Sequence, residues 1–219
     1  MNGLLAEIQQ LLPAIVSQTS WDLAADEDRF EGYLFSLVLS AAEKEGGQIR
    51  FEDRNGPFSG VATFRTSPGH LWSDARPYTH ALIQFPKCPP LEAHVGVYIT
   101  GRSKLHHEAG VAVLSRAVAR TCRVDRTDPP ASDAVLLLEC KYYRSDPGTS
   151  LGREFLGLSA ECGKDESVFV TNMPAPRLQQ LFGQHGREWG HNVLPSRPDD
   201  VDRLVGFAQR AFTRYKARR

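Results

Sequence analysis

Glu139 and Lys141 stand two residues apart near the end of the run Ala134 to Tyr143, AVLLLECKYY. They are the side chains of this sequence with the clearest capacity for chemistry. Side chains alternate along a strand, so Glu139 and Lys141 project from one face while Leu138 and Cys140 project from the other. A carboxylate and an ammonium therefore emerge side by side where an apolar strand leaves the core. Neither charge can stay dry and unpaired, so water, each other, a metal ion or a substrate must meet them there.

Other residues have chemical capacity by type or spacing. Glu31 falls in the first turn of an amphipathic segment, where the helix dipole favours a carboxylate. Glu108 belongs to His106-His107-Glu108, which lacks the second histidine of a zinc protease and reads as strand instead of helix. Gly148-Thr149-Ser150-Leu151-Gly152 has the letters of a nucleophile elbow, but Tyr142 to Pro147 separate it from the strand. Thr149 or Ser150 is better read as a helix cap. Gly157 to Lys164 has five residues where a phosphate loop needs four, and Asp165 replaces its hydroxyl. Arg144, Arg153 and Lys164 after the Glu139 motif, with Lys104 in a turn, form a candidate basic patch for a phosphate backbone.

The elements that must position these residues follow from periodicity and punctuation. Leu4 to Val16 has helical spacing interrupted by Pro13, and the sequence predicts an N-terminal helical arm over residues 1–25 and one domain over 26–219. Phe30, Leu34, Leu37, Val38 and Ala41 form the apolar stripe of a second helix, opened by Asp26, Glu27 and Asp28 and stopped by Gly46 and Gly47. Ile49 to Phe85 reads as antiparallel strands broken by turns, Ala93 to Thr100 as a strand, and His107 to Leu114 as its return. Arg116 to Ser132 is a polar connector with a short helix at its start. After the Ala134 strand come a helix near Leu151 to Cys162, a strand from Ser167 to Asn172, a helix from Pro176 and a short segment around Trp189. A final amphipathic helix starts at Asp199.

Composition narrows the partners. The 26 Lys and Arg balance the 26 Asp and Glu, so any anionic partner must be met by a local patch. Cys88, Cys122, Cys140 and Cys162 show no CxxC and no regular framework, which fits a reducing cytoplasm. No apolar run has the roughly 18 residues of a membrane span, and the first residues have no signal-peptide pattern. These features predict a cytoplasmic protein with no membrane partner.

The order helix, strand, strand, strand ending in E-x-K, helix, strand resembles the PD-(D/E)XK nuclease superfamily, with the restriction-endonuclease-like fold. The resemblance covers about Phe30 to Asn172 and rests on order and context more than on letters. It implies an α/β fold with an αβββαβ core, a mixed central sheet flanked by helices, and extra N- and C-terminal helices here. The activity implied is metal-dependent hydrolysis of phosphodiester bonds in DNA, as in restriction, repair or defence, with Mg²⁺ or Mn²⁺ as cofactor. A hard cation takes carboxylate oxygens, so Glu139 is the expected ligand. Lys141 would orient or help deprotonate the attacking water and offset developing charge. Glu31 matches the first-helix acid of the family, and Arg153 matches a position facing its active edge. The family's aspartate on the preceding strand is expected where Gly110 stands, and Glu108 is the available substitute if that strand is bulged. The alternative is a nuclease-fold module whose site is impaired at Gly110 and which binds nucleic acid or a protein partner. A third reading is an unrelated α/β protein in which Glu139 and Lys141 pair with each other. A homodimer is expected where both strands of a duplex are cut.

Overall fold

A computed structural model of the chain describes residues 6, 8, 25–75, 77–162 and 167–218. Within them an eight-stranded mixed sheet carries helices on both faces. The elements are α1 (Asp26–Lys44), β1 (Gln48–Asp53), β2 (Gly56–Pro57), β3 (Thr79–Gln84), β4 (Leu91–Thr100) and β5 (His106–Ser115), then α2 (Arg116–Asp125). A 3₁₀ turn (Ala131–Asp133) leads into β6 (Ala134–Lys141). After it come α3 (Thr149–Cys162), β7 (Ser167–Thr171), α4 (Pro176–Gln184), β8 (Glu188–Gly190) and α5 (Pro198–Ala217). Strand order is β2-β1-β3-β4-β5-β6-β7-β8. Neighbours through β6 are antiparallel, whereas β6–β7 and β7–β8 are parallel.

The β6 segment is the apolar run of the sequence, and its first five residues are buried. A strand covered on both faces must be apolar on both, which is why the run does not alternate. On one face, α1 and α5 share a core with Val111, Val113, Leu136, Leu138 and Cys140. The C-terminal half of α5 is also tied to the end of α1, because Gln209, Thr213 and Lys216 all donate to Glu45. On the other face, Ala112, Leu114, Leu137, Ala119 of α2 and Cys162 of α3 form a second cluster. Phe155, Phe169, Leu178 and Phe182 form a third between α3, α4 and β7.

The acids opening α1 and the glycine ending it act as expected: Asp28 accepts from the Ala25 amide at 3.2 Å, and Gly46 takes φ +84°. The expected N-terminal helix lies outside the described residues except at Ala6 and Ile8, which are helical. Ile8 is fully buried in the main core, so at that point the N-terminal segment packs on the sheet domain. No helix among the described residues is long and apolar enough to cross a membrane.

Strands β4 and β5 share one irregularity. In β4, Leu91, Ala93 and Val95 face α1, but Val97 and Ile99 belong to the opposite cluster. In β5, Val111 and Val113 face α1, but Ala109 belongs to the opposite cluster. Val95 pairs with Val111 and Val97 with Ala109, so the register is preserved while both strands reverse faces between these pairs. Gly96 and Gly110 stand at that point, and Gly96 takes φ +57°, a conformation costly for residues with a Cβ. The Gly96 carbonyl accepts from the Gly69 amide at 3.0 Å, which satisfies it outside the β4–β5 ladder.

Candidate active site at the end of β6

Glu139 and Lys141 leave the core together, and the ammonium of Lys141 donates to Glu139 Oε1 at 2.9 Å. Both remain partly accessible, with side-chain exposures of 16% and 34%. They open into a cavity of about 450 Å³ whose other bank is His107 and Glu108 at the start of β5. Tyr143, Leu151, Glu154, Phe155, Leu158 and Phe169 complete its wall. Glu108 therefore faces the same cavity as the E-x-K pair. The alternation that a regular strand would impose on Glu108 is reset at Gly110, four residues upstream of Leu114.

Gly110 has a packing reason. A Cβ there would lie 2.7 Å from Cys140 Sγ, 2.8 Å from Cys140 Cβ and 3.0 Å from Glu31 Oε1. Its backbone does not require a left-handed conformation, so contact, not φ, selects glycine. The position faces α1 and Cys140, and the carboxyl of Glu31 fills from the helix the space a side chain on β5 would need.

Burial and charge set the protonation of this cluster. Burial first, then the carboxylates of Glu108, Asp28 and Glu139, push Glu31 up from 4.5 to about 8, with only partial relief from Lys141. Glu139 is also raised by burial, against the pull of Lys141. Burial acts to lower Lys141, but Glu139 and Glu108 outweigh it and hold the ammonium above its ordinary value. Lys141 is therefore a fixed positive charge at neutral pH, suited to meeting an anion and poorly suited to removing a proton. The Cys140 thiol is pushed far up by burial and is chemically quiet.

The chain after the motif is held in place. The Asn172 amide receives the Tyr143 N–H and donates to the Tyr143 carbonyl, both at 2.8 Å. Arg144 pairs with Asp26 at 3.0 Å and so ties the segment to the start of α1. Arg144, which the sequence suggested for nucleic acid, keeps a side chain that is 84% exposed beside this pairing. Arg153 is exposed on α3 but does not line the cavity, and Lys104 faces a different cavity at the β4–β5 turn. Lys164 lies outside the described residues. Of the described members of the expected basic patch, Arg144, Arg153 and Lys104, none lines the E-x-K cavity. Tyr143, Glu154 and His107 line the site without having been singled out for it. Only Tyr143, two residues past Lys141, had a positional signal.

Among the described residues, no three His, Cys, Asp or Glu side chains are gathered closely enough to hold a metal ion unaided. Mg²⁺ characteristically takes one or two carboxylates and completes its shell with water and substrate phosphate. Glu139 and Glu108 line the cavity and present carboxylates of that kind, whereas Glu31 does not line it and lies with its Oε1 against Gly110 beside Cys140.

No protein-family model matches the chain, and no curated protein or solved structure gives a significant match.

Proposed function

We propose that the chain is a metal-dependent nuclease of the restriction-endonuclease-like fold that hydrolyses phosphodiester bonds in DNA. The observation that carries this reading is the Glu139–Lys141 pair at the end of β6, open to a cavity with Glu108 on its far bank. The order of elements supports it. A helix, α1, packs on the sheet; β4, β5 and β6 form an antiparallel meander; α3 then returns the chain to β7, parallel to β6.

In this reading Glu139 and Glu108 would hold Mg²⁺ or Mn²⁺, and Glu31, packed from α1 into the space left at Gly110, would be a further ligand on losing its proton. The ion supplies charge neutralisation and an activated water. Lys141, kept cationic by its carboxylate neighbours, contacts the scissile phosphate and offsets charge that develops on it. The wall of Tyr143, Leu151 and Phe155 limits water around the reacting group.

One observation favours an impaired module of the same fold: Glu139 is already engaged by Lys141, and among the described residues no three-ligand group is assembled. A single experiment separates the two. Plasmid and linear DNA are incubated with Mg²⁺ or Mn²⁺ and wild-type, Lys141→Ala or Glu139→Gln protein. Metal-dependent cleavage lost in both variants supports the nuclease. Binding of DNA without cleavage supports the module. Absence of cleavage, of DNA binding and of any divalent-ion effect on the melting temperature would sink both.

A further inference from the structure

We propose that the groove between α2 and the β1–β3–β4 side of the sheet binds a phosphate-bearing ligand of nucleotide size, at a site separate from the E-x-K cavity. The groove encloses about 970 Å³ and shares no lining residue with that cavity. Arg50, Arg54, Arg116, Arg120 and Arg123 all face it. The carboxylates that line it are Glu52, Asp53 and Glu92, so positive charge is in excess.

The arginines are arranged, not scattered. Arg116, Arg120 and Arg123 follow i, i+4, i+7 spacing and occupy one face of α2. Arg116 opens the helix, where a cation opposes the dipole, so helix stability does not account for it. Its guanidinium donates three hydrogen bonds to Glu52, one at 2.9 Å and two at 3.2 Å. Arg123 is similarly held by Glu92, whose side chain is 1% exposed. These two guanidinium groups are thus fixed before any ligand arrives, with donors to spare. Arg50 and Arg120 are exposed, and among the described residues their side chains make no hydrogen bond or ion pair.

A second observation points into the same groove. His80 lines it while only 3% exposed, and neither ring nitrogen has a hydrogen-bond partner. Its Nε2 is 3.6 Å from Glu92 and 3.7 Å from Glu52, beyond hydrogen-bonding distance. Burial first, then His94, push its pKa down to about 3 and keep the ring neutral, with one donor and one acceptor unspent. Arg54 Nε is likewise buried without a partner. Buried polar atoms seldom remain unpaired, and a phosphate surrounded by arginines supplies the missing acceptors. Phe58 also lines the groove and offers apolar surface that a base needs and inorganic phosphate does not, while its ring neighbour Phe51, 6.0 Å away, packs against the main core.

The test is titration calorimetry of the full chain in EDTA with ATP, with inorganic phosphate and with a short single-stranded oligonucleotide. Saturable ATP binding, tighter than phosphate and weakened about tenfold or more by Arg50→Ala and by Arg120→Ala, is expected. Both side chains are exposed and unpaired, so the variants should keep the wild-type melting temperature. Lys141→Ala should bind ATP normally, which separates this site from the nuclease reading. Absence of ATP binding, or binding indifferent to both arginine variants, overturns the proposal. Binding of the oligonucleotide alone, weakened by the same variants, also overturns it and assigns the groove to a nucleic-acid strand.

Discussion

Glu31 Oε1 lies 3.0 Å from the point at which a Cβ on Gly110 would stand. A helix carboxyl and a strand glycine thus share one space, and Cys140 closes it from β6. Gly110→Ala must displace one of these neighbours. It should cost about 1–3 kcal/mol in urea denaturation, in line with overpacked cores. Adding Cys140→Ala removes the Sγ contact and should recover part of that loss, so the double variant should be more stable than additivity allows. Gly110→Asp should be worse than Gly110→Ala because it also places a carboxylate beside Glu31. Equal stability of wild type and Gly110→Ala would refute the close packing.

The raised pKa of Glu31 makes stability depend on pH. Its folded value, about 8, exceeds its ordinary 4.5, so the native state binds more protons between these limits than the unfolded chain. Stability from this group is complete below pH 4.5 and is lost as pH rises through about 8. Melting temperatures between about pH 5 and 9 should fall more for wild type than for Glu31→Gln. If Glu31 joins Glu139 and Glu108 in holding a divalent ion, as proposed, that ion should raise the melting temperature more near pH 8 than near pH 5, where Glu31 is protonated. A Glu31→Gln profile parallel to wild type would contradict the assignment.

Asn172 positions the segment after the motif without touching the cavity itself. Asn172→Ala removes two hydrogen bonds to the Tyr143 backbone, and about 1–3 kcal/mol of stability should go with them. If the chain cleaves DNA, this variant should lower turnover while leaving its pH profile unchanged, because no titrating group is altered. A changed profile would argue for a more direct role.

Glu92 is the buried acid of the α2 network. Burial alone would raise its pKa, but the hydrogen bonds and charge of His94 and Arg123 prevail and bring it down to about 2. Its contribution is therefore present above pH 4.5 and lost as pH falls towards 2. Glu92→Gln should cost about 3–5 kcal/mol near neutral pH, because Arg123 would be left buried without its counter-charge. The penalty measured by urea denaturation should shrink progressively as pH falls from about 4.5 towards 2. A constant penalty across that range would exclude the electrostatic cause.

Much of this architecture is legible in the letters. An apolar run broken by Glu139 and Lys141 marks a central strand with a charged exit, and the period-two rule puts both charges on one face, where they meet. The stripe on α1 and the order of strands and helices after it are equally readable. Gly110 is not: a glycine in a strand signals close approach, but only the fold reveals that Cys140 and Glu31 make it. The reversal at Gly96 is hidden because positive φ at one glycine leaves no periodic trace. The α2 network is hidden for a different reason. Arg116, Arg120 and Arg123 look like solvated connector charges, and His80, Glu92 and His94 alternate with apolar residues as on a wet sheet face. Burial of that face by α2 is a long-range event that local pattern does not encode.

The shared reversal at Gly96 and Gly110 divides the β4–β5 hairpin into two plates that present opposite faces to the core. The inner plate is continuous with the sheet and the α1 core; the outer one carries His107 and Glu108. Glu139 and Lys141 stand on the sheet, so the two banks of the cavity belong to different plates. The width of the cleft is accordingly set by the bend at two glycines, and it is held there because Val97, Ile99 and Ala109 of the outer plate share a buried cluster with Leu137 of β6.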